Sequence, residues 1–175
     1  MRVIAGEFRS RKLKALPGLD TRPTPDRLRE TLFNILAPRI DNVTFLDAYA
    51  GTGSVGIEAL SRGAERAIFV EKSRAAVEVI RENLRSLGLE DRAEVFTGKS
   101  IVVLDRLAAD IVFLDPPYDL QREYDESMRV LAGRSYPFVI VQHASRFQLA
   151  AEYASLRRVR VVKQGDNSLS FYERS

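Results

Sequence analysis

Cysteine and tryptophan are absent from this chain, and histidine occurs once. Without cysteine there can be no disulfide, thiolate nucleophile or cysteine-bound zinc, and the reducing cytoplasm is the expected compartment. A lone His143 cannot build a histidine cluster, so no metal is expected. Long apolar runs are missing too: none could cross a bilayer. The opening MRVIAGEFRSRKLK carries charge where a secretory signal needs its apolar stretch, so no membrane role is expected. What remains is a chain of 175 residues, 45% hydrophobic and 29% charged, which suits one soluble domain with a substantial core. A monomer is expected.

The net charge is only +3, but it is unevenly spread. Arg2, Arg9, Arg11, Lys12 and Lys14 crowd the first segment with Glu7 as the sole acid among them, and Arg157, Arg158, Arg160 and Lys163 form a second basic run. A basic patch on a near-neutral chain suits a polyanion contacted at one place. The second run reads equally well as a solvated strand face.

Periodicity divides the chain into a basic N-terminal arm, residues 1–20, and a larger domain, residues 21–175. The arm reads as a short β-hairpin, RVIAGEF then KLKAL. PGLDTRPTP is a linker by its proline and glycine. Thr24 is placed to cap a helix with Pro25 at its first position and Leu28, Leu32, Ile35 and Leu36 on its buried face. Strands and helices then alternate: VTFLDA, SVGIEALSRG, AIFVE, SRAAVEVIRENLRSLG, AEVFTG, SIVVLDRL, DIVFLD, a helix from about Leu120 to Leu131, and FVIVQH. Strands this continuously apolar are those of a parallel sheet covered on both faces. LRRVRVVKQ and SLSFYER flank a Gly-Asp-Asn turn and read as a closing antiparallel hairpin. The expectation is an α/β fold with a mostly parallel, seven-stranded, doubly wound sheet.

The first of these strands runs into DAYAGTGSVG, in which Gly51, Gly53 and Gly56 spell G-x-G-x-x-G, and Glu71 ends the next strand at the spacing of a ribose-binding acid. The motif alone admits a nicotinamide dinucleotide. Asp47 argues against one, because a carboxylate before the glycines would repel a diphosphate. S-adenosylmethionine has no phosphate and presents an ammonium beside a sulfonium; Asp47 suits that cationic end, and Glu71 can accept two ribose hydroxyls. The fourth strand ends in LDPPYD. An exocyclic amine of a nucleobase is a poor nucleophile because its lone pair is delocalised into the ring. Two acceptors aimed at its N–H bonds favour the tetrahedral nitrogen that attacks. The Asp115 carboxylate and the Pro116 carbonyl supply them, Pro116 and Pro117 fix the carbonyl's direction, and Tyr118 offers a stacking face. His143 reads as a structural, hydrogen-bonded histidine.

LDAYAGTGSVGIEAL, VEKS and FLDPPYD resemble the motifs of class I S-adenosylmethionine-dependent amino-methyltransferases, which share a Rossmann-like fold. RVIAGEFRSRKL, RPTPDRLRETLFNIL and GDNSLSFYER are similar to the bacterial small-subunit ribosomal RNA guanine-N2 methyltransferases, over nearly the whole chain. The resemblance implies S-adenosylmethionine as cofactor and one guanine of 16S RNA, within the small ribosomal subunit, as substrate. It assigns cofactor contacts to Asp47, Ala48, Tyr49, Ala50, Gly51, Thr52, Gly53, Ser54, Glu71 and Lys72, with Arg22 and Thr24 in a segment folding over the pocket. Where many members carry Asp or Asn for the adenine amine this chain reads Thr97-Gly98-Lys99-Ser100, so backbone groups or Ser100 are expected to serve. Catalysis falls to Asp115, Pro116, Pro117 and Tyr118, and RNA binding to Arg2, Arg9, Arg11, Lys12 and Lys14. The competing readings are an adenine-N6 methyltransferase, a nicotinamide-dependent oxidoreductase and a non-catalytic RNA-binding factor.

Overall fold

Five short parallel strands form the centre of the molecule: β1 (Thr44–Asp47), β2 (Arg66–Glu71), β3 (Ala93–Thr97), β4 (Ile111–Leu114) and β5 (Phe138–Ala144). Three antiparallel strands extend the sheet: β6 (Glu152–Tyr153), β7 (Leu156–Gln164) and β8 (Asn167–Arg174). The order is β3-β2-β1-β4-β5-β8-β7-β6. This is a computed structural model, and it describes residues 1–17, 24–117 and 121–175.

Alternation along each strand sends successive side chains to opposite faces. Phe45, Phe69, Phe113, Ile140 and Phe171 point to one face, covered by α1 (Asp26–Leu36), α2 (Ser54–Ser61) and α3 (Arg74–Leu87). Leu46, Val70, Val112, Leu114 and Val139 point to the other, covered by α4 (Ser100–Leu104) and α5 (Gln121–Ala132). Both faces are dry, which is why the central strands read as unbroken apolar runs. Helix α3 follows its sequence signals closely. Ser73 Oγ accepts from the Ala76 N–H, and Gly88 ends the helix in the left-handed region at φ 67°. Among the described residues no helix is long and apolar enough to cross a membrane.

Three expectations are corrected. Among the described residues the sheet has eight strands rather than seven, because β6 has only two residues, too few to leave a periodic signal. Thr24 does not cap α1: the cap position is Pro25, with no side-chain hydrogen bond, and Thr24 is buried instead. The arm is a hairpin only in outline, with one antiparallel bridge among the described residues, Arg2 to Lys12. Between them the chain turns down onto α2. There the N–H groups of Ile4 and Ala5 donate to the Glu58 carboxylate at 2.9 and 3.1 Å. Those of Glu7 and Phe8 donate to the Ser61 carbonyl and hydroxyl at 2.8 and 3.0 Å. Backbone donors committed to a helix cannot extend a ladder. Val3 and Leu13 sink into the cluster that contains Ile57, Leu60, Phe69 and Ile80, so the arm shares the core of the larger domain.

Candidate active site

Strand order reverses between β1 and β4, and in a doubly wound sheet the ligand crevice opens beyond the carboxyl ends at that point. A cavity of about 310 Å³ lies there. The glycine loop forms one wall with Tyr49, Ala50, Gly51 and Thr52; Asp47, Phe113 and Asp115 form the floor; Thr24 and, from the arm, Met1, Ala15 and Leu16 complete it. The loop turns through Gly53 at φ 88°, a conformation that L side chains rarely adopt. At Gly56 a Cβ would meet the Phe69 ring at 2.3 Å, so only glycine lets α2 lie this close to β2.

Asp47 ends β1 and is 1% exposed. Its carboxylate accepts the Gly56 N–H at 3.0 Å, and among the described residues it has no cationic partner. Burial pushes its pKa up to about 7, opposed by that hydrogen bond and assisted by the charge of Glu71. Asp115, at the end of β4, is pushed up to about 8, first by burial and then by Asp47, while a hydrogen bond from the Thr24 hydroxyl pulls it partway back. The two carboxyls thus repel each other across one small cavity.

Glu71 is placed to order the crevice: its two oxygens accept the N–H groups of Gly51 at 2.8 Å and Ser73 at 2.9 Å. Each oxygen keeps a further lone pair for a ligand hydroxyl. Lys72 beside it is exposed. Ser54, buried, opens α2 and lines the cavity. Ala48 and Ser100 are buried struts: the Ser100 hydroxyl donates to the Ala48 carbonyl, which leaves only its oxygen lone pairs for a ligand. Tyr49 is fixed from α5, its hydroxyl bonded to Glu123 at 3.1 Å and Ser127 at 2.8 Å. Pro116 is buried and Pro117 exposed. The calls on Tyr118 and Arg22 lie outside the described residues.

A model of the family described as Conserved hypothetical protein 95 matches residues 1–173. A candidate rRNA methyltransferase of Bacillus subtilis, YlbH, is 34% identical over an alignment of 184 positions that covers 99% of this chain and 99% of that one. The chain belongs to this family. Ribosomal RNA small subunit methyltransferase D of Haemophilus influenzae is 42% identical over 123 residues, 67% of this chain and 64% of that one. A solved structure from Escherichia coli, described as a candidate methyltransferase, superposes with a TM-score of 0.89 at 32% identity, covering 100% of this chain and 98% of the other. The fold is that of the class I methyltransferases, whose methyl donor is S-adenosylmethionine.

Within that frame several residues matter that carry no sequence motif. Tyr124, fully buried on α5, donates its hydroxyl to the Pro116 carbonyl at 3.2 Å and so holds the direction of the second acceptor assigned to the DPPY loop. Thr24 braces Asp115. Nothing in the local sequence distinguishes Tyr124 from a core aromatic at helical spacing. His143 is a satisfied structural histidine. Nε2 bonds Ser170 Oγ at 2.8 Å, Nδ1 bonds the Ala144 carbonyl at 2.9 Å, and burial lowers its pKa.

The arm's cations are divided. Lys14 pairs with Glu82 at 2.5 Å, Arg11 donates to the Ser86 carbonyl at 3.0 Å, and Arg2 donates to the Ser10 carbonyl at 2.9 Å. Arg9 and Lys12 stand exposed, without a hydrogen bond or ion pair from their side chains to any described residue.

Proposed function

We propose that this chain transfers a methyl group from S-adenosylmethionine to the exocyclic N2 amine of a guanine in 16S ribosomal RNA, with the small subunit or its RNA as partner. The observation that carries the reading is the placement of Asp115, with Pro116 next in the chain, on the floor of the same crevice as Asp47 and the glycine loop. Bound S-adenosylmethionine would supply the electrophilic methyl group and a permanent positive charge. Asp47 and Asp115 would face that charge, and Glu71 would accept the ribose hydroxyls while holding the loop in shape.

The ionised form of Asp115 is the stronger acceptor for an amine hydrogen, and burial with the neighbouring Asp47 pushes its pKa up to about 8, which favours the protonated form at neutral pH. A cation in the crevice favours the carboxylate, so the acceptor becomes competent when the donor is in place. Asp115 then accepts one N–H of the target amine and the Pro116 carbonyl the other. Thr24 and Tyr124 hold the two acceptors in position. No covalent intermediate is required: the N–C bond would form as the S–C bond breaks, S-adenosylhomocysteine would leave, and the amine's surplus proton would pass to water; the remaining contribution is in-line positioning of two bound reactants. Tyr118 is assigned the stacking face. Arg9 and Lys12 are the arm side chains best placed for phosphates, with Arg2, Arg11 and Lys14 at its base.

The relatives' names support rRNA as the substrate class; the choice of guanine N2 rests on the resemblance of the arm, RPTPDR and the tail. The test is incubation of unmodified small subunits with methyl-labelled S-adenosylmethionine, digestion to nucleosides and mass spectrometry. Label in N2-methylguanosine is expected; label in N6-methyladenosine overturns the guanine assignment.

A further inference from the structure

The cavity wall contributed by the arm is held by a side chain outside the cavity. Asn83 lies on α3 and is 2% exposed. Its Oδ1 accepts the Lys14 N–H at 2.7 Å, and its Nδ2 donates to the Lys14 carbonyl and to the Thr52 carbonyl, both at 3.1 Å. One amide group therefore clamps both backbone groups of an arm residue and joins them to the glycine loop. Ala15 and Leu16, next in the chain, line the cavity from the arm side, and Thr52 lines it from the loop side.

We propose that Asn83 is a positioning residue of the cofactor site: it fixes the spacing between the arm wall and the glycine-loop wall, and so couples cofactor binding to the order of the arm. This rests on the cofactor reading above. A carboxamide suits the position because two carbonyls need donors and one N–H needs an acceptor at the same point. Aspartate would keep the acceptor but set an oxygen against two carbonyls, and leucine would leave all three groups unpaired. The residue touches neither the cavity nor the reacting atoms, so its effect should appear in cofactor affinity and not in the transfer step. The consequence reaches further, because the segment that Asn83 clamps continues back to Lys12 and Arg9. The RNA-facing arm and the cofactor loop would then share one strut.

The experiment uses S-adenosylhomocysteine and the full chain. In calorimetry, Asn83→Ala is expected to weaken binding about tenfold. At saturating S-adenosylmethionine its turnover should stay within about twofold of the unsubstituted chain. Unchanged affinity with only a lower melting temperature overturns the proposal. Because Asn83→Ala could fail to fold, amide exchange of the unsubstituted chain gives a second reading: saturating S-adenosylhomocysteine should slow exchange of the Lys14 amide along with the Gly51 and Gly53 amides. Slowing confined to the glycine loop overturns the coupling alone. No binding at all in the unsubstituted chain removes the cofactor reading and this inference with it.

Discussion

Two acidic places in this molecule, one fully buried and one lining the crevice, solve the same problem in opposite ways. Glu58, on α2, is fully buried and surrounded by the protein's own donors. It pairs with Arg62 at 3.0 Å and with Arg29 at 3.9 Å, and it accepts the N–H groups of Ile4 and Ala5. Asp47 and Asp115, at the ends of β1 and β4, have among the described residues one backbone N–H and one hydroxyl between them, and no cation. An ionised group taken out of water is costly unless it is paired. Glu58 is paired from within and anchors the arm. The two aspartates lack such pairing among the described residues, and in the proposed function the positive charge that faces them arrives with the ligand.

The comparison can be broken from either side. Asp115→Asn should lower methyl transfer by about 10²- to 10³-fold, the loss typical of removing one preorganised hydrogen-bonding partner of a transition state. The same substitution should raise the melting temperature of the unliganded chain at about pH 8.5. The sign follows from a folded-state pKa of about 8 against an ordinary carboxyl value near 4: the stability Asp115 contributes is present in acid and is lost as pH rises through its folded value. Glu58→Gln should do the reverse. It leaves Arg29 and Arg62 without their shared charge and should cost about 3 kcal/mol of stability in urea unfolding. Exchange of the Ile4 and Ala5 amides should speed up, while any cofactor that still binds does so without altered pH dependence.

Smaller effects sharpen the division of labour inside the acidic site. Tyr124→Phe frees the Pro116 carbonyl and should lower turnover about tenfold with little change in S-adenosylhomocysteine affinity, which steady-state kinetics and calorimetry separate. Arg9→Ala with Lys12→Ala should weaken RNA binding evenly across sequences and reduce the slope of log affinity against log salt by about one per residue.

Much of this was legible in the sequence because the signals were local. The apolar runs gave the parallel strands, Ser73 and Gly88 gave both ends of α3, and Asp47, the glycines and Glu71 marked one edge of the sheet. The paired proline stop after β4 placed Asp115 at the same edge. What was not legible depends on contacts between segments far apart in the chain. Glu58 lies 54 residues from Ile4, and Asn83 lies 69 from Lys14. An acid or an amide on an amphipathic helix has no sequence mark that distinguishes a solvated position from a buried clamp. The arm's short hairpin was legible, but its strand-like pattern could not show that the N–H groups of Ile4, Ala5, Glu7 and Phe8 would be taken by α2.

The central claim is that the crevice carries two under-paired carboxyls awaiting a cation, and proton release on binding tests it most directly. Titration of S-adenosylmethionine into the chain at about pH 7, in buffers of different ionisation enthalpy, should show a net release of protons and an affinity that rises toward about pH 8. The release should shrink in Asp115→Asn. Binding with no proton release and a flat pH dependence between about pH 6 and 9 would contradict the account.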